Sequence, residues 1–163
     1  PPRSDRPSRT AGSQCGSTYT ANQILVDHGS LIVTNSTADA TIEPRFGQLQ
    51  LTGGAVTADR LIATNGGSIS IAGGSLALRE GTVSIPASFA SGLELGDGEH
   101  PATVTLLGGT LQVDPRVTLA QHSTLAGDGE LRAAIKHIDG HLAPGRPGHP
   151  GRLTLSGFAC CST

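Results

Sequence analysis

Large side chains are almost missing from this 163-residue chain, which contains no methionine and no tryptophan, one tyrosine and three phenylalanines. A hydrophobic core must therefore be filled by Val, Ile, Leu and Ala. Side chains of that size suit thin, repeated layers better than one thick core. Charged residues make up only 15% of the chain, whereas glycine supplies 23 residues. Glycine accepts backbone angles that other residues avoid, so the composition predicts frequent sharp corners.

Positive charge is also scarce, since Lys136 is the only lysine and the formal net charge is −2. Nucleic acids and acidic lipids are bound by clustered Lys and Arg, so the sequence predicts neither as a partner. No run approaches the roughly 18 apolar residues of a membrane span, and no charged-then-apolar leader precedes the chain. The missing methionine, at Pro1 as elsewhere, indicates either processing of an exported protein or trimming of a longer product.

A three-residue unit, apolar then polar then apolar, recurs between glycines from Ile24 onward. Each copy has the alternation of a short strand with one buried face. The copies are Leu49-Gln50-Leu51, Ile69-Ser70-Ile71, Leu76-Ala77-Leu78, Val83-Ser84-Ile85, Leu93-Glu94-Leu95, Val104-Thr105-Leu106, Leu111-Gln112-Val113, Val117-Thr118-Leu119 and Leu153-Thr154-Leu155. These strands are too short for an ordinary sandwich.

A longer sequence motif occurs three times, at residues 49–56, 69–76 and 104–111, with offsets of 20 and 35 residues. An offset of 20 falls in the range of solenoids, whose coils bury their apolar faces only by stacking. The longer offset includes residues 86–101, which we interpret as a widened coil or a lateral loop. No helix is predicted, because residues 131–138 have room for at most two turns.

The sequence therefore predicts an all-β, single-domain parallel β-helix, or β-solenoid, over residues 22–157. At about 20 residues per coil this segment makes roughly six or seven short coils, and a strand spacing of about 4.8 Å gives a column about 30 Å tall. Residues 1–21, rich in Pro, Arg and Ser, are interpreted as an extended N-terminal arm. That arm is either a tail without a role or a contact to a neighbouring subunit. Residues 158–163 form a cysteine-containing tail.

The segment 125–157 adds a more specific pattern. It reads Leu-Ala-Gly-Asp-Gly-Glu-Leu at 125–131, Gly-His-Leu-Ala-Pro-Gly at 140–145, Pro-Gly at 147–148 and Leu-Thr-Leu-Ser-Gly at 153–157. This pattern resembles the repeat in passenger domains of autotransporter adhesins and related bacterial surface proteins. The resemblance covers the chain in style from about Gly29 but is specific only over these last thirty-odd residues. It implies a right-handed β-helix, secreted by a bacterium and displayed at the cell surface.

Three cysteines flank the predicted column, with Cys15 before it and Cys160 and Cys161 after it. The two ends of the column are about 30 Å apart, whereas a disulfide needs Cα atoms within about 7 Å. A disulfide within one chain is therefore disfavoured, although an N-terminal arm stretched at about 3.3 Å per residue would just span the distance between the two ends. Head-to-tail stacking of two copies would join the cysteines between subunits, and three free thiols are the alternative.

Histidines and acids near the C-terminal end of the chain and in two turns are candidate metal ligands. His137, His141 and His149 follow one another with Asp139 among them, and the sequence favours surface histidines over a metal site. The tetrads at residues 96–99 and 127–130 both read Gly-Asp-Gly-Glu and offer oxygen ligands for Ca²⁺. Asp-Gly is also an ordinary turn dipeptide, and turns are the favoured interpretation. The sequence therefore predicts no metal and no cofactor.

A β-helix enzyme acting on carbohydrate would need acids on adjacent coils of one face. Most acids here fall in turns, and only Glu94 lies in the middle of a strand unit. The pairs Asp59-Arg60 and Arg79-Glu80 are 20 residues apart and are interpreted as a surface ion-pair ladder. No catalytic residue is predicted. Ice binding by threonine rows is a minor alternative, on the residues Thr52, Thr57, Thr105, Thr110 and Thr118, and Asn35-Ser36-Thr37 is a formal glycosylation sequon.

The predicted function is structural: a subunit of an extracellular or cell-surface filament that assembles head to tail as a homopolymer. The assembly edge is the last strand unit, Leu153-Thr154-Leu155, whose main chain would pair with the next copy. An autotransporter-like adhesin that binds host or surface glycans is the first alternative. A carbohydrate-active β-helix enzyme is the second.

Overall fold

The computed structural model describes residues 18–20, 23–64, 66–84, 93–146 and 148–157. These residues form short strands and corners. The strands are β1 (Thr18–Thr20), β2 (Gln23–Val26), β3 (Ser30–Val33), β4 (Thr41–Glu43), β5 (Gln48–Leu51), β6 (Ala55–Ala63), β7 (Ser68–Ile71), β8 (Gly74–Ser84), β9 (Leu93–Leu95), β10 (Ala102–Leu119), β11 (Ser123–Ile138), β12 (His141–Pro144) and β13 (Leu153–Ser156). Among the described residues no helix is long and apolar enough to cross a membrane.

The strands stack in parallel into a column with three faces. Face 1 contains β1, β4, the second halves of β6 and β8, the middle of β10 and β11, and β13. Face 2 contains β2, β5, β7, β9 and the last parts of β10 and β11. Face 3 contains β3, the first parts of β6, β8, β10 and β11, and β12. The chain thus winds through about six turns as a right-handed parallel β-helix, and the predicted fold class is confirmed.

Apolar side chains at equivalent positions of successive coils stack into ladders that fill the interior of the column. On face 3 the apolar side chains of Leu31, Val56, Leu76, Val104 and Leu125 lie one above another. Leu125 has no exposed surface, and Leu106 and Leu119 on neighbouring ladders are equally buried. Because alternate residues of a strand point to opposite sides, the short apolar-polar-apolar units place two side chains inside and one outside. The buried apolar residues of the described column are all Val, Ile, Leu or Ala, as predicted.

Glycine is required where coils approach each other most closely. A Cβ atom on Gly74 would lie 1.9 Å from the carbonyl oxygen of Gly53, and φ at Gly74 is +83°. A Cβ atom on Gly109 would lie 1.9 Å from the carbonyl oxygen of Arg79. No side chain fits at those distances, so the Gly-Gly pairs permit tight corners as the sequence indicates.

The structure changes two details of the sequence interpretation and confirms a third, the lack of a helix at residues 131–138. The strand β1 lies inside the predicted arm and pairs with β4, so the first coil begins by Thr18. Residues 131–138 belong to the strand β11 and form no helical turn. The third copy of the motif, at residues 104–111, begins on face 3, whereas the second copy begins on face 2. Val104 therefore pairs with Leu76 instead of Ile69.

The 35-residue offset therefore does not measure one coil. Ser75 pairs with Thr103, and Gly81 pairs with Leu111, so the coil at this level takes up 28 to 30 residues. A longer coil is confirmed here, whereas the choice between a widened coil and a lateral loop depends on residues that include 85–92. Part of the extra length is the corner 96–101, and residues 85–92 lie outside the described part of the chain.

Candidate functional site

The C-terminal end of the column exposes apolar side chains that belong to the interior ladders. Ile138 is 41% exposed and Leu142 is 40% exposed, whereas Leu119 and Leu125 directly beneath them are fully buried. Leu153 and Leu155 are likewise only partly buried against the core. These side chains point inward but have no coil of described residues above them, so the end of the column is an apolar platform.

The N-terminal end has the same construction. Ile24, Leu31 and Val33 point toward the interior and are only partly buried. Within the described residues β1, β2 and β3 each pair with one strand only, namely β4, β5 and β6. At the other end, β12, β13 and the last part of β11 also pair on one side only among the described strands.

The two ends match face by face. On face 1, β13 at one end corresponds to β1 at the other. On face 2 the last part of β11 corresponds to β2, and on face 3 β12 corresponds to β3. A second copy placed on the platform would therefore continue all three faces, with its Leu31 on the ladder that ends at Leu142. The predicted edge residues Leu153, Thr154 and Leu155 lie in β13 and form one third of this surface.

A second feature is the corner between faces 3 and 1, which we call the charged corner and define by Asp59, Arg79, residues 107–109 and Asp128. These positions follow one another up the column, because Ala58 pairs with Leu78, Leu78 with Leu106, and Leu107 with Asp128. Asp59 and Arg79 form an ion pair at 3.5 Å, and beside them Arg60 and Glu80 pair at 3.4 Å. The ion-pair ladder predicted from the 20-residue spacing is confirmed.

Asp59 differs from the other carboxylates of this ladder because it is buried. Its side chain is 5% exposed, whereas that of Glu80 is 60% exposed. The backbone N–H of Asn35 donates a 2.8 Å hydrogen bond to the Asp59 carboxylate. Asp59 therefore attaches the loop 34–40 to the column, a role that its sequence position did not reveal.

The loop 34–40 has its own polar network over the sequon. The side chains of Asn35 and Thr37 both donate hydrogen bonds to the Asp39 carboxylate, at 2.7 Å from Thr37. These two bonds, that from Asn35 foremost, hold the pKa of Asp39 below its ordinary value. Ala38 adopts φ +59° at the tip. Asp39 is therefore ionised at neutral pH where it borders the charged corner.

Two open clefts lie on either side of the Gly108–Gly109 pair. The first has a volume of about 320 Å³ and is lined by Ala38, Asp39, Arg60, Arg79, Glu80, Leu107 and both glycines. The second has a volume of about 430 Å³ and is lined by Gly129, Glu130, Arg152, Thr110, Thr154 and the same glycines. Both clefts border Gly108 and Gly109, which carry no side chain, and the clefts follow one another along the column; we call the two together the groove.

Most ligand candidates from the sequence are engaged in local contacts. Asp97 accepts hydrogen bonds from the backbone N–H groups of Glu99 and His100, each at 2.8 Å, and pairs with the His100 ring at 2.7 Å. Asp128 accepts a 3.1 Å hydrogen bond from the N–H of Arg152 and faces Arg146 at 3.5 Å. Both Gly-Asp-Gly-Glu tetrads therefore use their aspartate to hold a corner.

The histidines show the same local behaviour. His137 pairs with Asp139 at 2.7 Å, and His141 and His149 are exposed. In the described part of the chain no group of three His, Cys, Asp or Glu side chains is close enough to hold a metal ion. Near the C-terminal end of the column, Arg132 pairs with Glu130 at 2.9 Å and the Ser156 hydroxyl donates to the same carboxylate; these contacts, that with Arg132 foremost, lower the pKa of Glu130.

Glu94 and the neighbouring acid Asp97 do not share one face of the column. Glu94 lies exposed on face 2, and Asp97 lies at the next corner. The hydrogen bonds from His100 and Glu99 hold the pKa of Asp97 well below its ordinary value. A general acid needs the opposite shift, toward neutral pH. Glu94 and Asp97 therefore make no acid pair of the kind that glycosidases use.

The remaining candidates are dispersed or lie elsewhere. Cys15, Cys160 and Cys161 fall outside the described residues. The threonines considered for ice binding point from different parts of the column: Thr57 and Thr105 from face 3, Thr110 from face 1, Thr118 from face 2 and Thr52 from a corner. No one face collects them into a row.

Comparison of the chain with protein-family models, with curated proteins and with solved structures gives no match. The resemblance to autotransporter passenger domains therefore stays a prediction.

Proposed function

We propose that the chain is a structural β-solenoid subunit that stacks head to tail with further copies of itself into an extracellular filament. The observation that carries the proposal is the match between the two ends of the column. Each end offers one strand per face with one unpaired edge among the described residues, and each end leaves ladder side chains partly exposed. Stacking would satisfy the main-chain groups and bury the apolar platform in one step.

The apolar contribution can be estimated from the platform. Full burial of a Leu or Ile side chain is worth about 1.5–3 kcal/mol. Ile138 and Leu142 are 41% and 40% exposed. Covering that remaining surface gives about 0.6–1.2 kcal/mol for each residue, or roughly 8- to 60-fold in the association constant for both. This apolar term adds to the main-chain hydrogen bonds of three strand pairs.

The experiment is electron microscopy and sedimentation velocity of the untreated protein, beside the variant Ile138→Lys/Leu142→Lys. Inward-pointing lysines in an end coil oppose edge pairing. We expect rods that lengthen with protein concentration in the parent protein and single columns in the variant. Phe46→Lys is the matched control, because Phe46 is 80% exposed but lies at a lateral corner and not at an end.

Single columns of the parent protein at every concentration, or rods that persist in the double lysine variant, would refute the proposal. A disulfide from Cys15 to Cys160 or Cys161 across the joint belongs to the same proposal. It is tested by electrophoresis of native material with and without reductant, where the linkage predicts a ladder of bands that reductant removes.

A further inference from the structure

We infer that the groove along the charged corner is a binding site for a neutral oligosaccharide chain, which lies along the column axis across Gly108 and Gly109. The site is lateral, and it does not depend on assembly through the ends of the column. Four properties of the described residues support the inference: arginine donors that are available to a ligand, balanced charge, an elongated open shape, and the lack of a free strand edge long enough to pair with a peptide.

The arginines of the groove keep most of their donors available. Arg60 and Arg79 approach their acidic partners only to 3.4 and 3.5 Å, beyond the distance of a good N–H to O hydrogen bond. By contrast, Arg45 lies 2.7 Å from Glu43, away from the groove. Arg152 makes no ion pair with any described residue. Since a guanidinium group has five N–H donors, these three side chains can each donate to a ligand.

The balance of charge selects the class of ligand. In the first cleft, Arg60 and Arg79 stand beside Asp39 and Glu80, and in the second cleft Arg152 stands beside Glu130. Positive and negative groups alternate, so the groove has no net field that would concentrate a polyanion. Hydroxyl groups both donate and accept hydrogen bonds, and a chain rich in hydroxyl groups therefore satisfies guanidinium and carboxylate groups together.

The groove is long, open and unobstructed at its centre. It extends from Arg60 to Thr154 over four coil steps of about 4.8 Å, or roughly 19 Å. A Cβ atom on Gly108 would meet no atom within 4 Å, so a ligand can cross the glycine pair against bare main chain. The lining residues include no aromatic side chain, so affinity must come from hydrogen bonds, and we expect dissociation constants in the millimolar to high micromolar range.

An extended peptide is the less suitable occupant. Peptides commonly bind to β proteins by adding a strand to a free sheet edge. At the charged corner β10 runs between β8 and β11, and it pairs with β8 up to Leu106 and again from Leu111, and with β11 up to Leu107 and again from Thr110. The interruptions are only four and two residues long, too short for an added strand, so the groups that remain for a ligand are mainly the side chains of the corner.

The test is calorimetric titration with four neutral hexasaccharides, made of α-1,4-glucose, β-1,4-glucose, β-1,4-mannose and β-1,4-N-acetylglucosamine, and with hexagalacturonate as the anionic probe. The host is the monomeric variant Ile138→Lys/Leu142→Lys, or the parent protein if that is already monomeric. We expect at least one neutral probe to bind and Arg60→Gln and Arg152→Gln each to weaken it by about tenfold or more, the effect of one lost charged hydrogen bond.

Arg45→Gln is the matched control and should leave binding unchanged, because Arg45 is paired outside the groove. Thr154→Trp fills the second cleft without removing a charge and should also abolish binding. Failure of all four neutral probes at millimolar concentration overturns the inference. So does binding that survives the combined Arg60→Gln/Arg152→Gln variant, or binding of the anionic probe alone with a steep dependence on salt.

Discussion

Replacing Asp59 by alanine tests whether the buried carboxylate, and not ion pairing in general, stabilises the charged corner. The column offers a matched comparison. Asp59 pairs with Arg79 at 3.5 Å and Glu80 pairs with Arg60 at 3.4 Å, on adjacent positions of the same two coils. The two carboxylates differ in burial, with 5% of the Asp59 side chain exposed against 60% for Glu80.

The expected magnitudes differ for a physical reason. Asp59→Ala removes the acceptor of the 2.8 Å hydrogen bond from the N–H of Asn35 and leaves that N–H without its partner. A hydrogen bond to a charged group contributes about 1.5–3 kcal/mol. Glu80→Ala removes only a solvent-exposed ion pair, which contributes about 0–1 kcal/mol. At roughly 2–4 °C per kcal/mol for a chain of this size, Tm should fall by about 3–12 °C and by no more than about 4 °C, respectively.

The assay is urea unfolding and thermal unfolding of both variants, combined with amide hydrogen exchange. Exchange at the Asn35 N–H should accelerate in Asp59→Ala and stay unchanged in Glu80→Ala, while the amides of the core strands stay protected in both. Equal losses of stability in the two variants would refute the reasoning, since burial of the carboxylate would then make no difference to its contribution to stability. Unchanged exchange at Asn35 would refute the role of Asp59 in holding the loop 34–40.

Three further predictions concern the column itself. Leu106→Ala should cost about 2–5 kcal/mol in urea unfolding because Leu106 is fully buried, whereas Ile32→Ala, at 54% exposure, should cost about 0.5 kcal/mol. Gly109→Ala should cost at least about 3 kcal/mol because its Cβ would lie 1.9 Å from a carbonyl oxygen, and a loss below about 1 kcal/mol would contradict that close approach. The hydrogen bond to Asp97 raises the pKa of His100, so this pair stabilises the fold fully below the ordinary histidine pKa of about 6.5 and loses its contribution as pH rises through the raised value. An NMR titration should find a lower pKa for His100 in Asp97→Asn, and an unchanged pKa would contradict the pairing.

Several elements of the fold were predictable because they depend on neighbours in the sequence. Units such as Leu49-Gln50-Leu51 alternate with a period of two, which fixes a short strand with one buried side. The offset from Leu49 to Ile69 gives one coil, and these two residues do pair. The sequence could not predict that the third copy, at residues 104–111, lies one face further along the coil. Leu76 and Ile69 are equally suitable apolar partners for Val104, so the pattern does not distinguish between them.

The candidate sites were predicted only in part. The last strand unit, Leu153-Thr154-Leu155, was identified as an edge from its position after the final repeat. Ile138 and Leu142 were missed, because their exposure depends on which coil is last on each face. The ladder at Asp59 and Arg79 follows from a 20-residue spacing, but the burial of Asp59 follows from the loop 34–40 folding over it.

The sequence by itself determined the thin, layered interior, the short strands and the tight corners, since these follow from small apolar side chains, a period of two and paired glycines. Only the tertiary structure decided which residues meet between coils. Successive partners on face 3 are 25, 20, 28, 21 and 17 residues apart, from Ser30 through Ala55, Ser75, Thr103 and Thr124 to His141. Because the coil length varies, the 20-residue spacing that places Arg79 over Asp59 does not continue up the column, and no fixed period opens a groove at Gly108 or leaves Leu142 uncovered. Those juxtapositions, on which the proposed functions depend, arise from stacking.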